Sequence, residues 1–470
     1  MAARNALSLA KLHFIQDDVQ SFGHAKSFNH LFSVCAGCGR SPKHAPLAPI
    51  MGAATLSDPP RVRIPEAISL MQITDIWFEK LYGRLAPEYP MFEERLIRPI
   101  DVYPEHRAES AAAMSQDRFE ANDDGTVDVT TVICHVETDV GISGLAGPCS
   151  VNEAFFVRKQ LLDLLRGEDP LATERAWDKM YRYLIHGRKG EAMFAVAAVD
   201  SALWDIRGKA AGLPLYRLLG GPVRKSFPAY ASALGFSIEL EDAARVAKGF
   251  VDQGFTATKW FVRNGPMEGE PGARKNLELA GALRSAVGDD VEIMIDAWSS
   301  WDVRYAIDMG NRLAEHRVRW IEEVVKADDI PGQAEVRRRS ATPVSGGEHE
   351  YTRWGAREYL EAKAVDLYQA DTIWAGGVSE MMKIFALCSA YGVPLIPHGG
   401  SVPINAHLTA AVSPTDAPYI EYLVQWNEFT QFFWKNPTKP VNGYISPTDE
   451  PGLGLEIDEE KVISRQRLDY

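Results

Sequence analysis

The chain has 470 residues, 46% of them hydrophobic and 24% charged, with a formal net charge of −14. This is ordinary globular composition in a chain long enough for a large barrel plus a second domain. The acidic balance, without a stripe of Lys and Arg, argues against a nucleic-acid partner, so an anionic substrate must be met by a local site such as a metal or a few basic side chains.

Residues 1–63 differ from the rest. Pro42, Pro46, Pro49, Pro59 and Pro60 punctuate a scattered polar stretch, which reads as a poorly ordered extension. Cys35 and Cys38 form a lone CxxC there. His24, His30 and His44 are too irregular to complete a zinc site. With Cys134, Cys149 and Cys388 the total is five, too sparse for a disulfide framework. No apolar run reaches the roughly 18 residues of a membrane span. No charged segment leads into an apolar core as in a secretory signal, so a cytoplasmic location without membrane contact is expected.

The first folded strand is expected at "MQITDIWF", from Met71; Met51 and Met71 are both candidate start residues. "TTVICHVETDVGISGLAG", Thr130 to Gly147, alternates apolar and polar residues and turns at Asp139 to Gly141, as a hairpin does. Glu191 to Gly212 is a small-residue-rich amphipathic helix stopped by Gly212 and Pro214.

A rhythm then sets in. Short apolar runs fall near Ala229, Thr258, Ile293, Trp320, Val344, Tyr368, Leu395 and Ile420, roughly one strand–helix unit apart. The segments between them carry helical stripes: Leu279, Leu283, Ala286 and Val287 in one, Met381, Ile384, Phe385 and Cys388 in another. Eight such units predict a closed parallel barrel, with an open doubly wound sheet as the rival.

Chemistry gathers at the ends of those runs. "VEIMIDAW", "VRWIEEV" and "TPVSGGEH" deliver Asp296, Glu322 and Glu348, each 26 residues after the last. At successive strand ends they converge on the C-terminal mouth, where barrel active sites lie. Three carboxylates together repel one another, and a hard divalent cation relieves this; an all-oxygen set suits Mg²⁺. The next two runs end in Asp371 and, 27 residues on, His398, a pairing suited to general base work. "YIEYL" adds Glu421, and "TATKW" adds Lys259 on the second strand. No GxGxxG or P-loop pattern follows a strand.

The order Asp296, Glu322, Glu348, Asp371, His398 resembles the mandelate racemase branch of the enolase superfamily. "IDAWSSWDVRYA", "SGGEHEYTRWG", "QADTIWAGGVSE" and "PHGGSV" resemble the L-rhamnonate dehydratase group of acid-sugar dehydratases across residues 70–465. The resemblance implies a modified (β/α)7β TIM-like barrel over residues 191–429. It also implies an α+β capping domain over 64–190, completed by the tail 430–470. It further implies Mg²⁺ on Asp296, Glu322 and Glu348, His398 as general acid/base with Asp371, a small sugar-acid substrate and a homo-oligomer. His349 would contact substrate, or else hydrogen-bond behind the metal ligands as a structural His. Glu421 would hydrogen-bond the substrate carboxylate in its protonated form, and Lys259 would neutralise that carboxylate or pack structurally.

Two departures stand out. Relatives often carry Lys-x-Lys on the second strand, whereas this chain has Lys259-Trp260-Phe261, and Phe261 cannot take a proton. The capping loop lacks a His before His106, leaving Arg95, Arg98 and His106 as candidate specificity residues. The expected reaction is removal of the C2 proton and loss of the C3 hydroxyl, giving a 2-keto-3-deoxy sugar acid. The rivals are a sugar-acid racemase or epimerase, a cycloisomerase, and a non-catalytic metal-binding barrel.

Overall fold

The computed structural model describes residues 71–91, 93–107 and 121–470. The extension at 1–63 and its CxxC lie outside these residues. Four strands form an antiparallel sheet in the order β12-β1-β2-β3: β1 (Ile73–Leu85), β2 (Val127–Thr138), β3 (Gly144–Cys149) and β12 (Ser464–Arg467). β2 and β3 are the hairpin read from the alternating sequence, with a register shift between Val132 and Cys134. One face of the sheet buries Ile76, Phe78, Cys134 and Val136 against the helix Glu191–Ala211. The helix meets β3 closely at Gly144, where a Cβ would lie 2.1 Å from the Ala202 carbonyl oxygen. Residues 464–467 complete the sheet by pairing with β1, Glu79 opposite Arg467.

The second sheet is parallel. Its strands are β4 (Phe227–Ser232), β5 (Ala257–Phe261), β6 (Glu292–Asp296), β7 (Val318–Glu322), β8 (Val344–Gly346), β9 (Leu367–Tyr368) and β10 (Ile420–Leu423). Each pairs with the next from β4 to β9, and a single bridge, Tyr368 to Leu395, extends the series. β10 then pairs in parallel with β4, Glu421 opposite Tyr230. The Leu395 N–H reaches the Asp416 carbonyl just before β10 at 2.7 Å, and side chains from β4 round to the Leu395 run meet in one interior cluster, as in a barrel, so the open-sheet rival is set aside. A short strand, β11 (Tyr444–Ile445), pairs antiparallel with the start of β4.

Alternation along a strand sends every second residue inward, and this builds the barrel in layers. Tyr230, Ala257, Met294, Trp320, Leu367 and Ile396 form one buried cluster. Two residues further along each run come Ser232, Lys259, Asp296, Glu322, Gln369 and His398. Two further still, Phe261 and Leu423 cluster with Leu96 from the loop after β1. The polar layer therefore lies between an apolar floor and an apolar rim.

A buried histidine ties this fold together away from the mouth. His407, on the helix Val402–Ala411, accepts a hydrogen bond at Nδ1 from the Tyr216 N–H at 3.4 Å. Its Nε2 donates to the Leu453 carbonyl at 3.4 Å. Only the neutral ring can do both, and burial holds its pKa down at about 4, below the ordinary 6.5. The unfolded chain then binds the extra proton as the pH falls. The contribution is whole above pH 6.5 and is lost as the pH drops through about 4. The stability advantage of the wild type over His407→Gln should therefore shrink by about 3 kcal/mol between pH 7 and pH 4, measured by urea denaturation. An advantage that does not change with pH would refute the neutral buried ring.

Candidate active site

Lys259 stands at the centre of the polar layer, fully buried. Its Nζ meets Asp296 Oδ2 at 3.0 Å, Glu421 Oε1 at 2.7 Å and Glu322 Oε1 in a closer contact. Burial works against the charge on Lys259, but Glu322, Glu421 and Asp296 outweigh it and hold the pKa well above the usual lysine value. The charged form is thus the favoured one. The Phe261 ring lies 5.2 Å from Nζ, so the side chain two residues along the strand covers Lys259 without adding a titrating group.

The carboxylates are pinned from their other oxygens. Glu322 Oε2 accepts from Gln369 Nε2 at 2.7 Å and Trp320 Nε1 at 3.2 Å. Asp296 Oδ1 accepts the Trp298 N–H at 2.9 Å. Glu421 Oε2 accepts the Gly399 N–H at 2.9 Å. Burial raises the pKa of Asp296 to about 6, of Glu322 to about 8 and of Glu348 to about 7. Glu421 behaves differently. Burial alone would raise its pKa, but Lys259 and His398 hold it below the usual value. The two cations beside it therefore favour its ionised form.

His398 and Asp371 form the expected dyad. Nδ1 is 2.6 Å from Asp371 Oδ2. Asp371 Oδ1 accepts the N–H groups of Ile373 and Trp374 at 2.7 and 3.2 Å, capping a short helix, Thr372–Ala375. Asn405 donates to the His398 carbonyl at 2.8 Å. The glycines after His398 follow from this packing: a Cβ on Gly400 would sit 2.2 Å from Asp371 Oδ2. The other nitrogen, Nε2, lies 3.3 Å from Glu348 and 4.0 Å from Glu421. Burial pushes the imidazole pKa down, but Glu348, Asp371 and Glu421 outweigh it and lift it to about 10.

A second pairing was not visible in the sequence. His349 Nδ1 is 2.6 Å from Glu323 Oε2, and Ser299 Oγ donates to the same oxygen at 2.9 Å. Despite burial, Glu323 lifts the His349 pKa to about 9. The ligand atoms of Glu323, Glu348 and His349 lie within 4.8 Å of one another. Of the three expected metal ligands, then, Glu348 sits in this group, while Asp296 and Glu322 face Lys259. The Trp374 ring lies between the two imidazoles, with centroids 5.0 Å from His398 and 5.7 Å from His349. Trp374 falls inside the motif "QADTIWAGG", three residues past Asp371, and that position was the only signal that could have found it.

The capping-loop candidates are placed differently. Arg95 is 1% exposed, with Nη1 on Asp101 at 2.6 Å and Nη2 donating to the His106 carbonyl at 2.8 Å. Arg98 reaches Asp101 at 3.6 Å and the same carbonyl at 3.4 Å. Arg263, just past β5, also meets Asp101, at 3.4 Å. These contacts place Arg95 in the scaffold of the loop. His106 stands edge-on to Tyr103 at 6.5 Å. The loop is docked on the mouth by the Ile97 N–H donating to the Val262 carbonyl at 2.8 Å.

The donor set fits a hard divalent cation. Six buried carboxylates, Asp296, Glu322, Glu323, Glu348, Asp371 and Glu421, face one ammonium and two imidazoles, leaving negative charge in excess even with both rings protonated. Removing the ammonium should cost far more than removing a surface charge. Lys259→Met should lower the unfolding free energy by about 3–5 kcal/mol in chemical denaturation, because it leaves buried carboxylates uncompensated. A loss below about 1 kcal/mol, the range of exposed pairs, would show that Lys259 does not hold the layer.

Comparison with known proteins agrees with this architecture. Residues 242–461 match the family described as enolase C-terminal domain-like. Residues 123–220 match the N-terminal domain of mandelate racemase / muconate lactonizing enzyme. L-rhamnonate dehydratase of Saccharopolyspora erythraea is 34% identical over 385 residues, covering 79% of this chain and 92% of that protein. The crystal structure of L-rhamnonate dehydratase from Gibberella zeae superposes with a TM-score of 0.70 at 28% identity, covering 83% of this chain and 94% of that one. A structure of rhamnonate dehydratase from the same organism, complexed with Mg, gives 0.71 at 27% identity, covering 83% and 95%. The barrel, its antiparallel companion sheet and these matches agree: the chain belongs to the enolase superfamily, in its mandelate racemase branch.

Proposed function

We propose that the chain is a Mg²⁺-dependent sugar-acid dehydratase that converts a rhamnonate-like aldonate to its 2-keto-3-deoxy product. One observation carries the reading. His398, paired with Asp371, brings its Nε2 within 3.3 Å of Glu348, while the second-strand position that could supply an opposing base is Phe261. Lys259, the lysine on that strand, is held charged by three carboxylates. A racemase needs a base on each face of C2, and the racemase and epimerase reading is disfavoured on that ground.

Asp296, Glu322 and Glu348 would hold the cation, with Glu323 beside them. When bound, the cation supplies positive charge that stabilises the negative charge developing on the substrate carboxylate and offsets that of Glu348 beside His398. Asp371 keeps the proton on His398 Nδ1 and so leaves Nε2 to take the C2 proton. As the C2–H bond breaks, its electrons form the C2–C3 double bond and the C3–O bond breaks. The departing hydroxyl receives the proton carried by Nε2 and leaves as water. The resulting enol tautomerises to the 2-keto acid. His349, kept cationic by Glu323, offers a charged hydrogen-bond donor to the anionic substrate. The apolar rim of Phe261, Leu423 and Leu96 limits water at the mouth.

The test is a screen of purified protein with Mg²⁺ against aldonic and aldaric acids, detecting 2-keto-3-deoxy product with semicarbazide. An aldonate should react, and His398→Asn should lose at least about a hundredfold in kcat with Mg²⁺ binding unchanged. Full turnover in His398→Asn would sink the assignment. Exchange of the C2 proton in D₂O without any dehydrated product would favour epimerisation.

A further inference from the structure

The turn that presents Glu348 and His349 is held from outside by a residue far away in sequence. Glu350 follows directly after them and is buried, 4% exposed. Lys189 Nζ meets its Oε1 at 2.6 Å and its Oε2 at 2.8 Å, and the Tyr351 N–H donates to Oε1 at 2.9 Å. The carboxylate lies against the backbone of Gly355, where a Cβ would come within 2.1 Å of Oε1. It is thus plugged into the start of the helix Thr352–Glu361.

The turn and the helix start after it need unusual backbone, open to glycine at one end and unfavourable at the other. Gly347 has φ +119° and lies against the Tyr368 ring, and Thr352 has φ +66°, an unfavourable value for a β-branched residue. Within it one hydrogen bond, from the Glu350 N–H to the Gly347 carbonyl, spans 3.2 Å. Backbone of this kind persists where its surroundings over-determine it. Lys189 lies between the helices Thr173–Tyr183 and Glu191–Ala211, and its side chain is 59% exposed. A cavity of about 440 Å³ opens beside it, lined by Tyr181, His186, Arg188 and Trp354 among others.

We infer that Lys189 is a positioning residue: through the Glu350 carboxylate it fixes the turn that sets Glu348 and His349 at the barrel mouth. Without Lys189, the buried carboxylate is left without its cation and is drawn toward water, and the turn moves with it. Because Lys189 is half exposed, water can reach the freed Glu350 carboxylate, and the global cost stays well below that of removing the fully buried Lys259. Its effect falls chiefly on the geometry two residues away. The inference rests on the reading that Glu348 helps to hold a divalent cation.

The test measures Mn²⁺ binding by electron paramagnetic resonance, with Mg²⁺ as competitor, alongside thermal melting. Lys189→Met should weaken Mn²⁺ affinity about tenfold or more, the usual effect of losing a group that orients a metal ligand, with a smaller fall in melting temperature than Lys259→Met shows. Lys189→Arg should bind as the wild type does. Lys189→Gln, which keeps a donor without the charge, takes the place of Lys189→Met should the latter fail to fold, with the same loss expected. Wild-type affinity in the uncharged variant, or equal losses in Lys189→Arg and Lys189→Met, would overturn the inference. Glu348→Gln separates the two ideas. If it binds Mn²⁺ as tightly as the wild type, the cation reading itself fails; if it loses binding while Lys189→Met does not, only the positioning role fails.

Discussion

One buried ammonium organises the barrel mouth. Lys259 cannot reach water, and its charge is tolerable only because Asp296, Glu322 and Glu421 surround it. Those carboxylates in turn come from three other strands, so their meeting demands that β5, β6, β7 and β10 hold one register. A slip of one residue would turn every one of these side chains outward. The hydrogen bonds from Gln369, Trp320, Trp298 and Gly399 then occupy the remaining oxygens. Position, charge state and strand register therefore form a single constraint.

The strand ends were legible in the sequence because barrel strands are short, apolar and closed by a polar residue. Asp296, Glu322, Asp371 and His398 stand where the rhythm predicted, at or just beyond the ends of their runs. The weak point was Leu395, whose run is joined to the sheet by a single bridge. What the spacing could not show is direction. Glu322 and Glu323 are neighbours in the chain, yet one faces Lys259 inside the barrel and the other binds His349 at the rim. Only alternation in three dimensions separates them.

Arg95 shows the opposite difficulty. A loop arginine beside an expected site invites a substrate-binding role, and nothing in one dimension marks it as buried. Asp101, six residues on, was the only available hint, and a pair at that spacing in a loop has no fixed geometry. Lys259 poses a different problem. Its partners lie 37, 63 and 162 residues away in the chain, so the three contacts that fix its charge could not be counted from sequence. The same holds for Lys189 and Glu350, which belong to segments that no local pattern connects.

The pairing of β12 with β1 bears on how the protein is made. β1 is among the first described segments to leave the ribosome, and residues 464–467 are among the last. Until they arrive, one edge of β1 offers unpaired backbone groups to any neighbouring strand. Contacts this distant in sequence form slowly, since the intervening chain must close a long loop first. During synthesis, the barrel can assemble while its companion sheet still waits for an edge. Nascent chains stalled short of residue 464 would therefore be the species most prone to sticking to one another, although every residue of the barrel mouth would already be present.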